Sequence, residues 1–165
     1  MILEKEQKVY DVLKELDIPY IQTSHEPAAT MEACLALEEQ IQAKICKNLF
    51  LCNRQKTNFY LLLMPGDKPF KTKDISKQIN SARLSFAGDE DLLELLNLTP
   101  GSCTIFGLLF DLSNKVQLII DEDVLKEERF GCHPCINTST IGFNTDDLLN
   151  KIIPYLNHDF IKVIL

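Results

Sequence analysis

The stretch Lys44-Ile45-Cys46-Lys47-Asn48-Leu49-Phe50-Leu51-Cys52-Asn53, continued by Asn58-Phe59-Tyr60-Leu61-Leu62-Leu63-Met64, decides the fold. Both runs are apolar and rich in Leu, Ile, Phe and Tyr. The polar residues Arg54-Gln55-Lys56-Thr57 separate them, so the pair reads as two strands joined by a turn. Lys47 stands at the entrance of the first strand, where a charge is costly unless it faces solvent or a ligand. It is either a solvated gatekeeper at a strand end or a cation placed for a ligand.

Charge extends the question outward. Residues 41–86 hold nine basic residues (Lys44, Lys47, Arg54, Lys56, Lys68, Lys71, Lys73, Lys77 and Arg83) against Asp67 and Asp74, a local charge of +7 within a chain of net charge -7. The rest of the chain carries -14. Such an island can hold a phosphate backbone locally while the acidic remainder keeps the protein soluble, or it can be a chance cluster of solvated lysines.

With 165 residues and 45% apolar content, the chain is expected to form one globular domain, 1–165, with a proper core. No apolar run reaches the ~20 residues of a membrane helix. The N-terminus, Met1-Ile2-Leu3-Glu4-Lys5-Glu6, lacks a basic n-region and an apolar h-region, so a cytoplasmic protein with its six cysteines as thiols is expected.

Along the chain, Val9, Val12, Leu13 and Leu16 form a helical stripe over residues 4–18, stopped by Pro19. A short strand follows over 20–23, and then a loop at His25-Glu26-Pro27. Thr30 is a plausible N-cap for a helix to about Ile41, with Glu32 in its first turn. Beyond the hairpin come a turn at Met64–Asp67, a basic helix from Thr72 to about Ile79, and a strand over Leu84–Ala87. An acidic, leucine-rich helix opens at Asp89 and breaks at Pro100-Gly101-Ser102. Thr104–Phe110 and Val116–Ile120 are expected to form a second strand pair across a turn at 111–115. Short extended pieces are expected at 131–134 and 139–142. A last helix over about 145–156 should end or kink at Pro154, and residues 160–165 should close an edge strand. Six or more strands interleaved irregularly with short helices indicate a single α+β (mixed α/β) domain.

The chemistry-bearing motifs are few. Cys132-His133-Pro134-Cys135 is a CxxC, yet Cys46 and Cys52 are too widely spaced to supply the second pair of a zinc knuckle, and the flanking residues favour a loop over the helix N-terminus of a redox pair. No metal and no cofactor is expected. His133, held between a cysteine and a proline, could face a cleft or serve as a satisfied structural histidine. His25 and His158 read as loop and surface residues. No G-x-S-x-G elbow, Walker loop or GxGxxG is present.

Four anchors then carry a resemblance over nearly the whole chain: Lys47-Asn48-Leu49-Phe50-Leu51; Leu84-Ser85-Phe86-Ala87; Leu98-Thr99-Pro100-Gly101-Ser102 with Phe106-Gly107-Leu108; and Gly131-Cys132-His133-Pro134-Cys135-Ile136-Asn137-Thr138. In this order they resemble the YbaK/ProX family, the domain also inserted into bacterial prolyl-tRNA synthetases for editing, and most closely its free-standing ProX type. The resemblance implies a mixed, barrel-like sheet of about six or seven strands surrounded by short helices. It also implies hydrolysis, in trans, of alanine mischarged onto proline tRNA, with prolyl-tRNA synthetase a possible partner. The family's lysine maps onto Lys47 with Asn48 beside it, its pocket glycine loop onto Gly101 and Ser102, and its late histidine onto His133; Thr30 and Pro134 are the further substrate contacts it suggests. The chain departs from the pattern at Ile105, where proline is usual, and at Cys103, where valine is common.

On that reading, Lys47 anchors the terminal phosphate or polarises the ester. Asn48 orients substrate or water, the Gly101–Ser102 backbone donates to the carbonyl, and His133 lines the amino-acid pocket. An activated ester needs only a positioned water and a stabilised oxyanion. The alternatives are a deacylase for cysteine or another small residue on tRNA, a non-catalytic module that binds tRNA or a synthetase, and a metal or redox protein built on Cys132 and Cys135.

Overall fold

The computed structural model describes residues 3–27 and 31–165. Glu4 and Glu6 sit at the positive end of α1 (Glu4–Glu15), which buries Val9, Val12 and Leu13. After Pro19 the chain extends as β1 (Ile21–Ser24), and α2 (Met31–Ile41) follows. The expected cap Thr30 lies outside the described residues. The hairpin forms as read: β2 (Lys44–Asn53) and β3 (Phe59–Pro65) pair antiparallel, with Lys47 opposite Met64 and Leu51 opposite Tyr60.

The chain continues through α3 (Thr72–Gln78), β4 (Leu84–Phe86), α4 (Asp89–Leu96), a 3-10 helix (Ile105–Phe110), β5 (Val116–Asp121), α5 (Glu122–Lys126), β6 (Arg129–Cys132) and β7 (Ser139–Asn144). It ends in α6 (Thr145–Asp147), a π-helical segment (Leu148–Ile152), α7 (Ile153–Tyr155) and β8 (Phe160–Val163). The strands join in the order β1-β7-β6-β2-β3-β5-β8, with β4 also on β2, and the sheet is mixed. β2–β6, β3–β5 and β5–β8 are parallel; the other pairs are antiparallel. The fold is thus the expected mixed α/β class, with eight strands in the sheet rather than six or seven.

Alternation along β3 explains its unbroken apolar run. Leu61 and Leu63 enter the main core with Phe50, Phe106, Phe130 and Phe143. Leu62 and Met64 enter a second core on the opposite face with Leu51, Ile75 and Ile119. A strand buried on both faces has no polar positions to alternate with.

The expectation at Thr104–Phe110 is corrected. The segment is a 3-10 helix capped by Thr104, whose Oγ1 accepts from the Phe106 N–H at 3.5 Å. Ile105–Leu109 are all buried, so periodicity alone could not separate a buried strand from a buried helix. β5 therefore pairs with β3 and β8, not with residues 104–110. The departure Ile105 is fully buried at the first helical position, where a proline would have lost no intrahelical bond. At the C-terminal end, the π-helical segment lies directly before α7, whose first turn holds Pro154. The missing N–H is taken up there as a local widening of the helix.

His158 corrects a second reading: it is 8% exposed, not a surface residue. Its Nε2 meets Asp111 Oδ2 at 2.9 Å, and Asp111 also accepts from the Lys115 and Val116 N–H groups. The pair ties the end of the 3-10 helix to the chain entering β8.

Candidate active site

Lys47 lies on the same face of β2 as Leu49 and Leu51, because side chains alternate along a strand. Its Nζ donates to the Lys68 carbonyl oxygen at 2.6 Å, in the turn after β3. Lys68 is itself held, with Nζ 2.7 Å from Asp121 Oδ2 and 2.7 Å from Asp123 Oδ2. Burial alone would lower the Lys68 pKa, but the two carboxylates outweigh it and the pKa is raised. Asp121 is fully buried, so this chain of contacts fixes the carbonyl that holds the Lys47 ammonium. An ammonium has three donors, and the contact with Lys68 uses one of them.

Lys47 lines a cavity of about 310 Å³ with Cys34, Leu35 and Glu38 of α2, Cys46, the Gly66–Asp67 turn, and Glu127. Glu38 Oε2 accepts the Ile45 N–H at 2.9 Å, joining the helix to the base of β2. α2 reaches this position because Gly142 has no side chain: a Cβ there would stand 2.6 Å from the Ile41 carbonyl oxygen.

Asn48 points to the opposite face of β2. Its Nδ2 donates to the Cys46 carbonyl oxygen at 3.0 Å, and its buried Oδ1 has no hydrogen-bond partner among the described residues. That oxygen is an unmet buried acceptor, a state that costs about 1–3 kcal/mol.

Gly101 has φ +87°, a conformation that favours glycine, and Asn137 Nδ2 lies 3.5 Å from where its Cβ would be. Ser102 is buried and turned inward. Its N–H and Oγ both donate to the Thr99 carbonyl oxygen, at 3.1 and 2.8 Å. The Ser102 N–H is therefore spent within the turn, and of the two backbone donors read from the sequence only that of Gly101 has no hydrogen bond among the described residues.

His133 Nδ1 faces the Ser139 carbonyl oxygen at 2.8 Å, an acceptor, so Nδ1 carries the proton and Nε2 presents its lone pair. Burial holds the His133 pKa below the ordinary histidine value, and His25 adds to the effect. His25 is the residue the sequence did not mark. Its ring lies 6.2 Å from that of His133, and its Nε2 is 2.7 Å from Thr140 Oγ1. The β1–β7 register, which sets Ser24 opposite Ser139, creates this neighbourhood, and no spacing in the sequence announces it. Pro134 is buried behind His133 in the chain.

Four of the cysteines, Cys46, Cys103, Cys132 and Cys135, are not poised for chemistry. Burial pushes the thiols of Cys46, Cys103 and Cys135 up to about 12, and that of Cys132 higher still. Thiols held in this way are poor nucleophiles and poor metal ligands.

The sequence-marked residues thus fall into two groups. Lys47 belongs to the cavity beside α2. His133, His25, the Thr99–Ser102 turn and Asn137 gather around the 132–139 loop, where His25, Thr99 and Asn137 line a second, open depression. Among the described residues, no hydrogen bond joins Lys47 or Asn48 to Gly101, Ser102 or His133. Residues 28–30, which connect the loop of His25 to α2, lie outside the described residues.

A family model described as the aminoacyl-tRNA editing domain matches residues 25–151. The chain belongs to this editing-domain family. The match takes in His25 and both groups of site residues. A "Prolyl-tRNA editing protein ProX" of Acetoanaerobium sticklandii is 31% identical over 153 residues, covering 93% of each chain. A "Prolyl-tRNA synthetase associated domain-containing protein 1" of Xenopus laevis is 29% identical over 147 residues, covering 87% of each. Among solved structures, a candidate trans-editing enzyme for prolyl-tRNA synthetase superposes with a TM-score of 0.72 at 12% identity, over 100% of this chain and 99% of that one. That structural likeness establishes an editing-domain fold that runs the full described length.

Proposed function

We propose that this editing-domain protein acts in trans as an aminoacyl-tRNA deacylase, hydrolysing the ester of alanine mischarged onto proline tRNA. The observation that carries the proposal is the 31% identity, over 93% of both chains, to a protein named for prolyl-tRNA editing. Near-complete mutual coverage supports the whole chain, 1–165, as one editing unit. Prolyl-tRNA synthetase is the natural supplier of the mischarged substrate, and the cytoplasm is where the two would meet.

Each site residue takes a role that its chemistry suits. Lys47, with one donor on the Lys68 carbonyl, offers the rest to the ester carbonyl or the terminal phosphate. In the proposed roles Asn48 Oδ1 would accept from the attacking water or the substrate, the Gly101 N–H would donate to the developing oxyanion, and His133, with Pro134 next to it in the chain, would line the amino-acid pocket through its Nε2 lone pair. Thr30, which directly precedes α2 in the sequence, is a further substrate contact that the family resemblance suggests. No cofactor is required, because the ester is already activated. Selectivity follows double-sieve logic: a pocket that admits alanine and sterically rejects proline spares the correct product.

Purified protein is expected to deacylate Ala-tRNA(Pro), and Lys47→Ala to lower kcat/KM by roughly 100-fold. If wild-type protein leaves the ester intact while a control hydrolase clears it, the proposal fails. A second reading, a different small residue such as cysteine on the tRNA, is favoured by Ile105, whose buried side chain stands where the family has proline. A panel of mischarged tRNAs separates the two.

A further inference from the structure

Phe86 is the one phenylalanine among the exposed large apolar residues described, at 62% exposure. It sits on edge strand β4 directly opposite Leu51, so its side chain shares the face of β2 that carries Lys47. Phe70 tilts against it with ring centroids 5.5 Å apart. Leu51 lies four positions beyond Lys47 on the strand, which places the aromatic pair about 13 Å from the lysine along β2.

The surroundings are cationic. Lys71 adjoins Phe70, Lys73 and Lys77 lie on α3, and Arg83 precedes β4; all four are exposed, and none of their side chains makes an ion pair among the described residues. Against them stand Asp74 on α3 and the acidic first turn of α4, which bounds the basic surface on one side. An exposed aromatic face among unneutralised cations matches a ligand with both π-faces and phosphates, that is, a single-stranded nucleic acid.

We infer that Phe86, supported by Phe70, is a stacking platform for an unpaired nucleobase near the 3′ end of a tRNA acceptor stem, with Lys71 and Arg83 holding its phosphates. The inference rests on the proposed tRNA substrate and names a binding site for it outside the Lys47 cavity. The position suits a base preceding the terminal nucleotide: the aminoacylated end reaches Lys47 while an upstream base stacks on Phe86.

Two RNA probes test the site, an unacylated acceptor minihelix ending in single-stranded CCA and the same minihelix lacking those three nucleotides. By fluorescence anisotropy, Phe86→Ala is expected to weaken binding of the CCA-ended probe about 10-fold and to leave the trimmed probe unchanged, whereas Phe86→Trp retains wild-type affinity. Lys71→Gln combined with Arg83→Gln should reduce the salt dependence of binding for the CCA-ended probe. The site is overturned if Phe86→Ala affects both probes equally or neither, if wild-type protein binds neither probe, or if Phe86→Ala instead dissociates a dimer in sedimentation, which would make the patch a self-association surface. Phe86-dependent binding of the CCA end without deacylation of any charged tRNA would refute the proposed reaction and leave this site standing. Deacylation with Phe86-independent binding would do the reverse.

Discussion

The two halves of the candidate site are held by different physics. Lys47 is positioned by charge: its ammonium rests on a carbonyl whose own residue, Lys68, is clamped by Asp121 and Asp123. His133 is positioned by neutral groups, a backbone carbonyl at Nδ1 and Thr140 beyond it, with burial keeping the ring uncharged. In the proposed roles, a cation for phosphate or ester would need a rigid support that leaves its charge unspent, and a histidine lining a small pocket would need a dry wall. The same editing domain supplies both from neighbouring segments of one sheet.

The largest effect expected of breaking this contrast lies on the charged side. Asp121→Ala leaves Lys68 with only its outer carboxylate and should cost about 3 kcal/mol in urea unfolding. Asp123, whose side chain is 43% exposed, is the control. Asp123→Ala should shift the urea midpoint far less than Asp121→Ala, and equal losses for the two would show that burial does not govern the clamp.

A smaller effect tells which cavity the aminoacyl end fills. Cys34 is partly exposed on the wall of the Lys47 cavity, while Cys132 and Cys135 are buried. Alkylation of the native protein should therefore label Cys34 before either of them. A non-hydrolysable alanyl-adenosine analogue at about ten times its Kd should slow that labelling roughly 10-fold. Unchanged labelling at saturation would move the aminoacyl group to the His133 side.

The smallest effect is a pH dependence on the neutral side. Burial sets the folded His133 pKa below the ordinary value of about 6.5, so as pH falls the unfolded chain takes up the proton first. The stability contributed by a neutral His133 is thus complete above about pH 6.5 and drains away as pH drops through that value toward the folded one. Urea midpoints between pH 8 and 5 should fall more steeply for wild type than for His133→Gln. Parallel curves would mean that the ring is solvated after all.

Much of this fold was legible because the hairpin carries its own punctuation: two apolar runs and a polar turn leave one reading for 44–64. Thr104–Phe110 was not, since a short apolar run buried on every side has no period to distinguish strand from helix. The partners of β5 were hidden for a related reason, as parallel neighbours are set by crossovers rather than by a local turn. His158 looked exposed because its carboxylate partner, Asp111, is remote in sequence. At the site, Lys47 and His133 were marked individually by type and by family resemblance. Their separate surroundings, the spent Ser102 N–H and the companionship of His25 come only from the folded chain, which a single sequence does not print.

β2 has a consequence in the order of folding. From Cys46 onward it pairs with β3, reached through one short turn, and at Leu51–Asn53 with β4, nearer in sequence than β6, whereas its first two residues, Lys44 and Ile45, pair with Phe130 and Gly131. Closing that last link draws together distant parts of the chain, and its entropy must be met before any contact rewards it. The half of the sheet that bears Lys47 and Phe86 can therefore assemble early, and the half that bears His133 docks onto it late, so the wall of β2 nearest the lysine cavity is among the last parts of the molecule to become native.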